Sequence, residues 1–140
     1  MKVRKPSVAG QFYPGNKQEL DELLDDVLEK EKGNIKKELA KKDIIGGIAP
    51  HAGYIFSAYQ AMHVFKILKE HQKQFETIFI INPNHSGMGN EIAYDSNSYW
   101  ETPYGKVEVD QDFAEAMNIP VSDIEQSREH SGEVMVPLLQ

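Results

Sequence analysis

Ile44-Ile45-Gly46-Gly47-Ile48-Ala49-Pro50-His51-Ala52-Gly53-Tyr54 is a short apolar run that ends in a proline, a histidine and a glycine. Thr77-Ile78-Phe79-Ile80-Ile81-Asn82-Pro83-Asn84-His85-Ser86-Gly87 repeats the arrangement, with His85 lying 34 positions after His51. Apolar runs this short cannot make independent helices and suit strands buried on both faces. Gly46 and Gly47 weaken the first strand and point to something packed closely on its backbone. Between the runs, Ser57 is the expected cap of a helix whose apolar face is Ala58, Ala61, Met62, Phe65 and Leu68. Strand, helix, strand predicts a βαβ unit with a right-handed crossover, both strand ends emerging on one edge. Open α/β sheets bind ligands at that edge, so His51 and His85 are expected to converge there.

Upstream, Pro6, Gly10 and Pro14 predict an irregular entry. Asn16 with Glu19 three residues on resembles a capping box. Leu20, Leu23, Leu24, Val27 and Leu28 follow the spacing of one buried helix stripe, with Gly33 as the stop. Residues 35–42 read as a shorter helix or a charged loop. His63 falls on the solvent side of the second helix and His71 at its end. Downstream, residues 92–94 and 106–109 read as strands, the latter entered through the turn Thr102-Pro103-Tyr104-Gly105. Asp110 caps a short helix carrying Phe113, Ala116 and Met117, and Ile119-Pro120-Val121 breaks it. Residues 131–140 have helix-like apolar spacing at Val134, Leu138 and Leu139. The expected fold is α/β, a partly parallel sheet flanked by helices, in a single domain of residues 1–140.

A 140-residue chain is long enough to bury one core. Its net charge of −7 argues against a general nucleic-acid binder or a ligand of acidic membranes. Lys36, Lys37, Lys41 and Lys42 are interleaved with Glu38 and Asp43, as on a solvated face. With no cysteine, a disulfide, a thiolate metal site and a cysteine nucleophile are all excluded within this chain. The N-terminal residues lack the apolar core of a signal peptide. No apolar run approaches the roughly 18 residues of a membrane span, so a cytoplasmic protein is expected. The fingerprints of nucleophile-elbow hydrolases, P-loops and dinucleotide folds are not in the sequence.

Imidazole is the commonest metal ligand and the commonest acid–base group near neutral pH. A divalent metal needs two or more neutral imidazoles fixed in direction, and loops at strand ends supply that rigidity. His51 and His85 are therefore candidate metal ligands, with Gly53 and Gly87 admitting close approach. The plainer alternative is two loop histidines, each held by a hydrogen bond. His130, in Arg128-Glu129-His130-Ser131-Gly132-Glu133, sits at a helix start, where a neutral imidazole able to move protons is favoured. Its alternative is a surface histidine. Glu129 and Glu133 read first as helix-start carboxylates and second as partners of that imidazole. Tyr54 reads as a packing residue, and Trp100 as a pocket wall or a core residue.

Together these stretches resemble the Memo family, also called AmmeMemoRadiSam system protein B. The resemblance adds residues 4–14, residues 100–105, and Val107-Glu108-Val109-Asp110, and it runs nearly end to end. It implies a fold like the class III extradiol dioxygenases, which hold a non-haem Fe(II) and cleave catechol rings with O₂. By that resemblance His51 and His85 match the two histidine metal ligands, and His130 matches a further histidine in the pocket, with a catalytic role. The implied cofactor is iron (Fe2+), with copper as the alternative. The implied partners are a small-molecule or peptide ligand and a functional link to a radical SAM protein, with no nucleic acid and no membrane.

This sequence departs from the family at Asn82, where glycine is usual. Members are also considerably longer. The chain therefore corresponds to the N-terminal half of a Memo-like domain, with the remaining metal donor expected beyond Gln140. A non-enzymatic metal- or peptide-binding module and an inactive truncated fragment stand as alternatives. A half-built sheet would favour self-association.

Overall fold

The apolar stripe of the first helix decides where the core forms. In the computed structural model, which describes all 140 residues apart from the side chain of Glu115, helix α1 spans Lys17–Glu31. Asn16 caps it, its Oδ1 accepting from the Glu19 N–H at 3.0 Å, which satisfies one of the orphan donors of the first turn. Leu20 and Val27 are buried, with Leu23, Leu24 and Leu28 partly so. They pack against helix α2, Tyr54–Lys69, through Ala58 and Met62. Residues 35–42 resolve into a 3-10 turn, Lys37–Lys41. The core is closed by Val134 and Met135, from the 3-10 turn Glu133–Met135 and the short helix α4, Val136–Leu139, that follows it.

Beside the helices lies a mixed sheet. Strand β1 (Val3–Arg4) pairs in parallel with β3 (Tyr99–Thr102), which pairs antiparallel with β4 (Gly105–Glu108). The Thr102-Pro103-Tyr104-Gly105 turn joins β3 to β4 as expected. A second, parallel pair joins β2 (Tyr94–Asp95) to β5 (Val121–Ser122). Helix α3 (Gln111–Met117) begins at Asp110, whose Oδ1 accepts from the Phe113 N–H at 3.1 Å, and ends at Asn118 in the left-handed region. The chain is thus α/β with mixed sheets and helices. No helix among the described residues is long and apolar enough to cross a membrane.

Two expectations are corrected. Helix α2 starts three residues before Ser57, at Tyr54, with Gly53 as its cap. Ser57 instead donates its hydroxyl back to the carbonyls of Ala52 and Gly53, at 2.7 and 3.3 Å. The larger correction concerns the βαβ unit. The runs at 44–49 and 77–81 form no strand and join no ladder among the described residues. The reason is cover. Both runs line an apolar hollow of about 320 Å³, walled on one side by Val64, Phe65 and Leu68 of α2. The outward residues Ile45, Ile48 and Ile81 are almost fully exposed. A strand buried on both faces needs layers on both sides and a hydrogen-bonding neighbour, and these runs have one layer. The close approach read from the glycines does hold at Gly47, where a Cβ would lie 2.7 Å from Val64 Cγ1.

Candidate metal centre

Three loops meet at one place. His51 ends the extended stretch that runs into α2. Its position is fixed where the Tyr54 N–H donates to the Phe12 carbonyl at 2.7 Å, tying the N-terminal segment to the helix start. His85 sits in a loop folded by Asn84, whose Oδ1 accepts from the Ser86 hydroxyl at 2.8 Å and the Gly87 N–H at 3.1 Å. This is the local side-chain-to-backbone turn that asparagine favours. His130 precedes the 3-10 turn that leads into α4.

The imidazoles form a cluster. Ring centroids are 5.3 Å apart for His51 and His85, 5.8 Å for His51 and His130, and 4.7 Å for His85 and His130, the last pair stacked. Phe12 packs on His130 at 4.9 Å. One nitrogen from each ring can be chosen so that all three lie within 4.8 Å of one another. Metal–imidazole bonds of about 2.0–2.1 Å put tetrahedral ligand atoms about 3.3 Å apart. Closing the cluster on an ion therefore asks for shifts of about an ångström, within the reach of side-chain rotation. His85 is the most exposed of the three, its side chain 46% accessible, so the cluster opens to solvent on that side.

Glu129 holds the cluster from behind. Its carboxylate is buried, 1% accessible. One oxygen, Oε2, accepts from the His85 backbone N–H at 2.7 Å. The other, Oε1, faces His85 Nδ1 at 2.8 Å and accepts from the Ser131 N–H and hydroxyl at 2.9 and 2.6 Å. Burial alone would raise the Glu129 pKa; the Ser131 and His85 donors outweigh it and hold it down at about 2. His130 is shifted down from the ordinary histidine value, first by burial and further by the neighbouring His85 and His51, with Glu129 opposing. A neutral His130 is thereby favoured. Its Nδ1 lies 3.6 Å from Glu129 Oε1, too far for a hydrogen bond.

Arg4 and Glu133 fix this segment to the rest of the molecule. Arg4 is buried, its guanidinium 4.2 Å above the Trp100 ring. It donates to the carbonyls of Gln126 and Glu129 at 2.8 and 2.6 Å, and to Glu133 Oε2 at 2.7 Å. Glu125 accepts from the Asn90 N–H at 2.6 Å, pinning the far end of the His85 loop. Gly132 completes the contact, because a Cβ there would lie 2.9 Å from Asn82 Oδ1 and 3.3 Å from Trp100.

The three sequence-predicted histidines are thus brought together. Tyr54 is a packing residue whose hydroxyl donates to the Val134 carbonyl at 2.7 Å. Trp100 is a structural partner of Arg4. Glu133 does open the 3-10 turn Glu133–Met135, but both carboxylates act chiefly as partners: Glu129 faces His85 and Glu133 is a buried hub. Their spacing of four in Glu125, Glu129 and Glu133 was the available signal, but a spacing of four reads as a helix face, and most of this segment is irregular.

Residues 4–140 match the family model described as Memo-like protein. The chain is 39% identical over 143 residues to a MEMO1 family protein of Nitrosopumilus maritimus, covering 99% of this chain and 51% of the relative. It is 40% identical to a MEMO1 family protein of Aquifex aeolicus, covering 100% of this chain and 50% of the relative. It is 40% identical to one of Thermococcus onnurineus, covering 99% and 47% respectively. The chain spans about half the length of the curated relatives it matches.

Proposed function

The chain belongs to the Memo-like protein family, and from that premise we propose that it carries a non-haem metal site of the iron type, with His51 and His85 as ligands. His130 is the group that moves protons beside them. The observation that carries this reading is the meeting of three imidazole nitrogens within 4.8 Å. Two imidazole ligands leave positions on the ion open, as a catalytic rather than a closed structural site does, with the third imidazole at hand for proton transfer. Imidazole suits copper as well as iron, so copper is the alternative ion. When bound, the ion supplies Lewis acidity and redox chemistry toward a small-molecule substrate such as a catechol, in a dioxygenase-like reaction.

The chain's own residues have separate tasks. His51 and His85 bind and orient. Phe12 shields His130 from water on one face. His130, favoured neutral by its burial, accepts a proton from a bound hydroxyl and returns it. Anaerobic Fe(II) titration of the chain and of His51→Ala and His85→Ala tests the ligand assignment; unchanged affinity in both variants removes it. A catechol product screen of the iron-loaded chain tests the reaction. Binding without turnover favours the alternative of a non-enzymatic metal- or peptide-binding module, for which the solvent-facing His85 is the supporting observation.

A further inference from the structure

Glu129 makes two kinds of bond to the same residue. It accepts from the His85 backbone N–H and faces the His85 ring at Nδ1. It also accepts twice from Ser131, the residue after His130. One buried carboxylate therefore ties the loop that carries His85 to the turn that carries His130. The Arg4 guanidinium holds the Glu129 carbonyl from the other side at 2.6 Å.

We propose that Glu129 is a positioning residue: it locks the neutral His85 ring in the tautomer with its proton on Nδ1, so that Nε2 is the nitrogen presented to a metal ion. Oε1, the atom facing the ring, already accepts the Ser131 N–H and hydroxyl, as an ionised carboxylate oxygen does and a carboxylic O–H does poorly, so His85 Nδ1 is the donor at 2.8 Å. Nε2 then keeps its lone pair. A free neutral imidazole has no such constraint, and an outer carboxylate that fixes tautomer and ring direction is a general device for raising ligand basicity.

The same geometry sets the register between the loops. His85 and His130 stack at 4.7 Å, and the Oε1 and Oε2 atoms span the two backbones that carry them. Glutamine at 129 would keep the side chain's size but replace one acceptor by an NH₂ donor. That group would either oppose the His85 backbone N–H or donate to Nδ1 and drive the ring to the other tautomer.

The part concerning metal rests on the proposed metal site; the tautomer does not. The test separates them. Long-range ¹H–¹⁵N spectra of the metal-free wild-type chain, at alkaline pH, report which His85 nitrogen carries the proton. Zinc titration of wild type and Glu129→Gln then reports affinity. The expected result is an Nδ1–H tautomer in wild type, its loss in Glu129→Gln, and a fall in zinc affinity of about 10–100-fold with the circular dichroism unchanged. An Nε2–H tautomer in wild type overturns the proposal, as does a variant with unchanged tautomer and affinity. Should Glu129→Gln fail to fold, the wild-type spectrum alone decides. An Nδ1–H tautomer in a chain that binds no zinc upholds the positioning role and counts against the metal site.

Discussion

Five donors converge on the Glu133 carboxylate: Arg4 Nη1, the Ser7 N–H and hydroxyl, the Val8 N–H and the Tyr13 hydroxyl, all at 2.7–2.9 Å. Burial works to raise its pKa, but the Ser7 and Val8 amides and Arg4 lower it overall. A carboxylate with a lowered folded-state pKa stabilises the fold above the ordinary range, about pH 4.3, and that contribution is lost as the pH falls below it. Glu133→Gln leaves Arg4 buried without its counter-charge, and a cost of about 3–5 kcal/mol is expected. Urea unfolding at neutral and acid pH checks both points: the variant should be less stable at pH 7 and flatter in its acid dependence. An unchanged midpoint would mean that the network is dispensable. His51 and His85 were legible because each announces itself locally, as a histidine after an apolar run and a proline. The partner roles of Glu129 and Glu133 ranked only second in the sequence because those partners lie 44 and up to 129 positions away, and no local pattern encodes such distances.

Helix α1 shows how far local rules reach. Its cap, its stripe and its buried face all follow from spacing, and Leu20 is wholly buried. Leu20→Ala should cost about 2–5 kcal/mol in thermal or chemical unfolding; a loss under 1 kcal/mol would show that the α1–α2 seam can collapse around the gap. Helix α2 shows where those rules stop. A serine can cap a helix or bond back to a preceding carbonyl within one, and only the contact between Gly53 and the Phe12 backbone settles the start at Tyr54. At Gly47, alanine would meet Val64 Cγ1. Gly47→Ala is expected to destabilise by about 1–3 kcal/mol, and Val64→Ala should relieve it. Additivity in that double-mutant cycle would contradict the close approach.

At the scale of the molecule, the apolar runs that precede His51 and His85 encode burial that the described residues supply on one side only. Periodicity reports how many faces a segment wants covered, not which residues cover them, so the strands were predicted and the layers were not found. Ile45, Ile48, Ile55, Phe56 and Ile81 stand largely in solvent, a surface of the kind that drives association. Light scattering of the 140-residue chain should therefore show self-association that rises with concentration; a monodisperse monomer at high concentration would contradict this. The three histidines are nonetheless brought together, because Glu125, Glu129, Glu133 and Arg4 hold the His85 and His130 loops and the Tyr54–Phe12 hydrogen bond holds that of His51. These loops are proposed to present His51 and His85 to one metal ion. Anaerobic Fe(II) titration tests it most directly. One ion per chain is expected, with His51→Ala and His85→Ala each losing more affinity than the roughly 10–100-fold expected for an outer hydrogen-bond partner. Iron binding that is unaltered in both variants would contradict it.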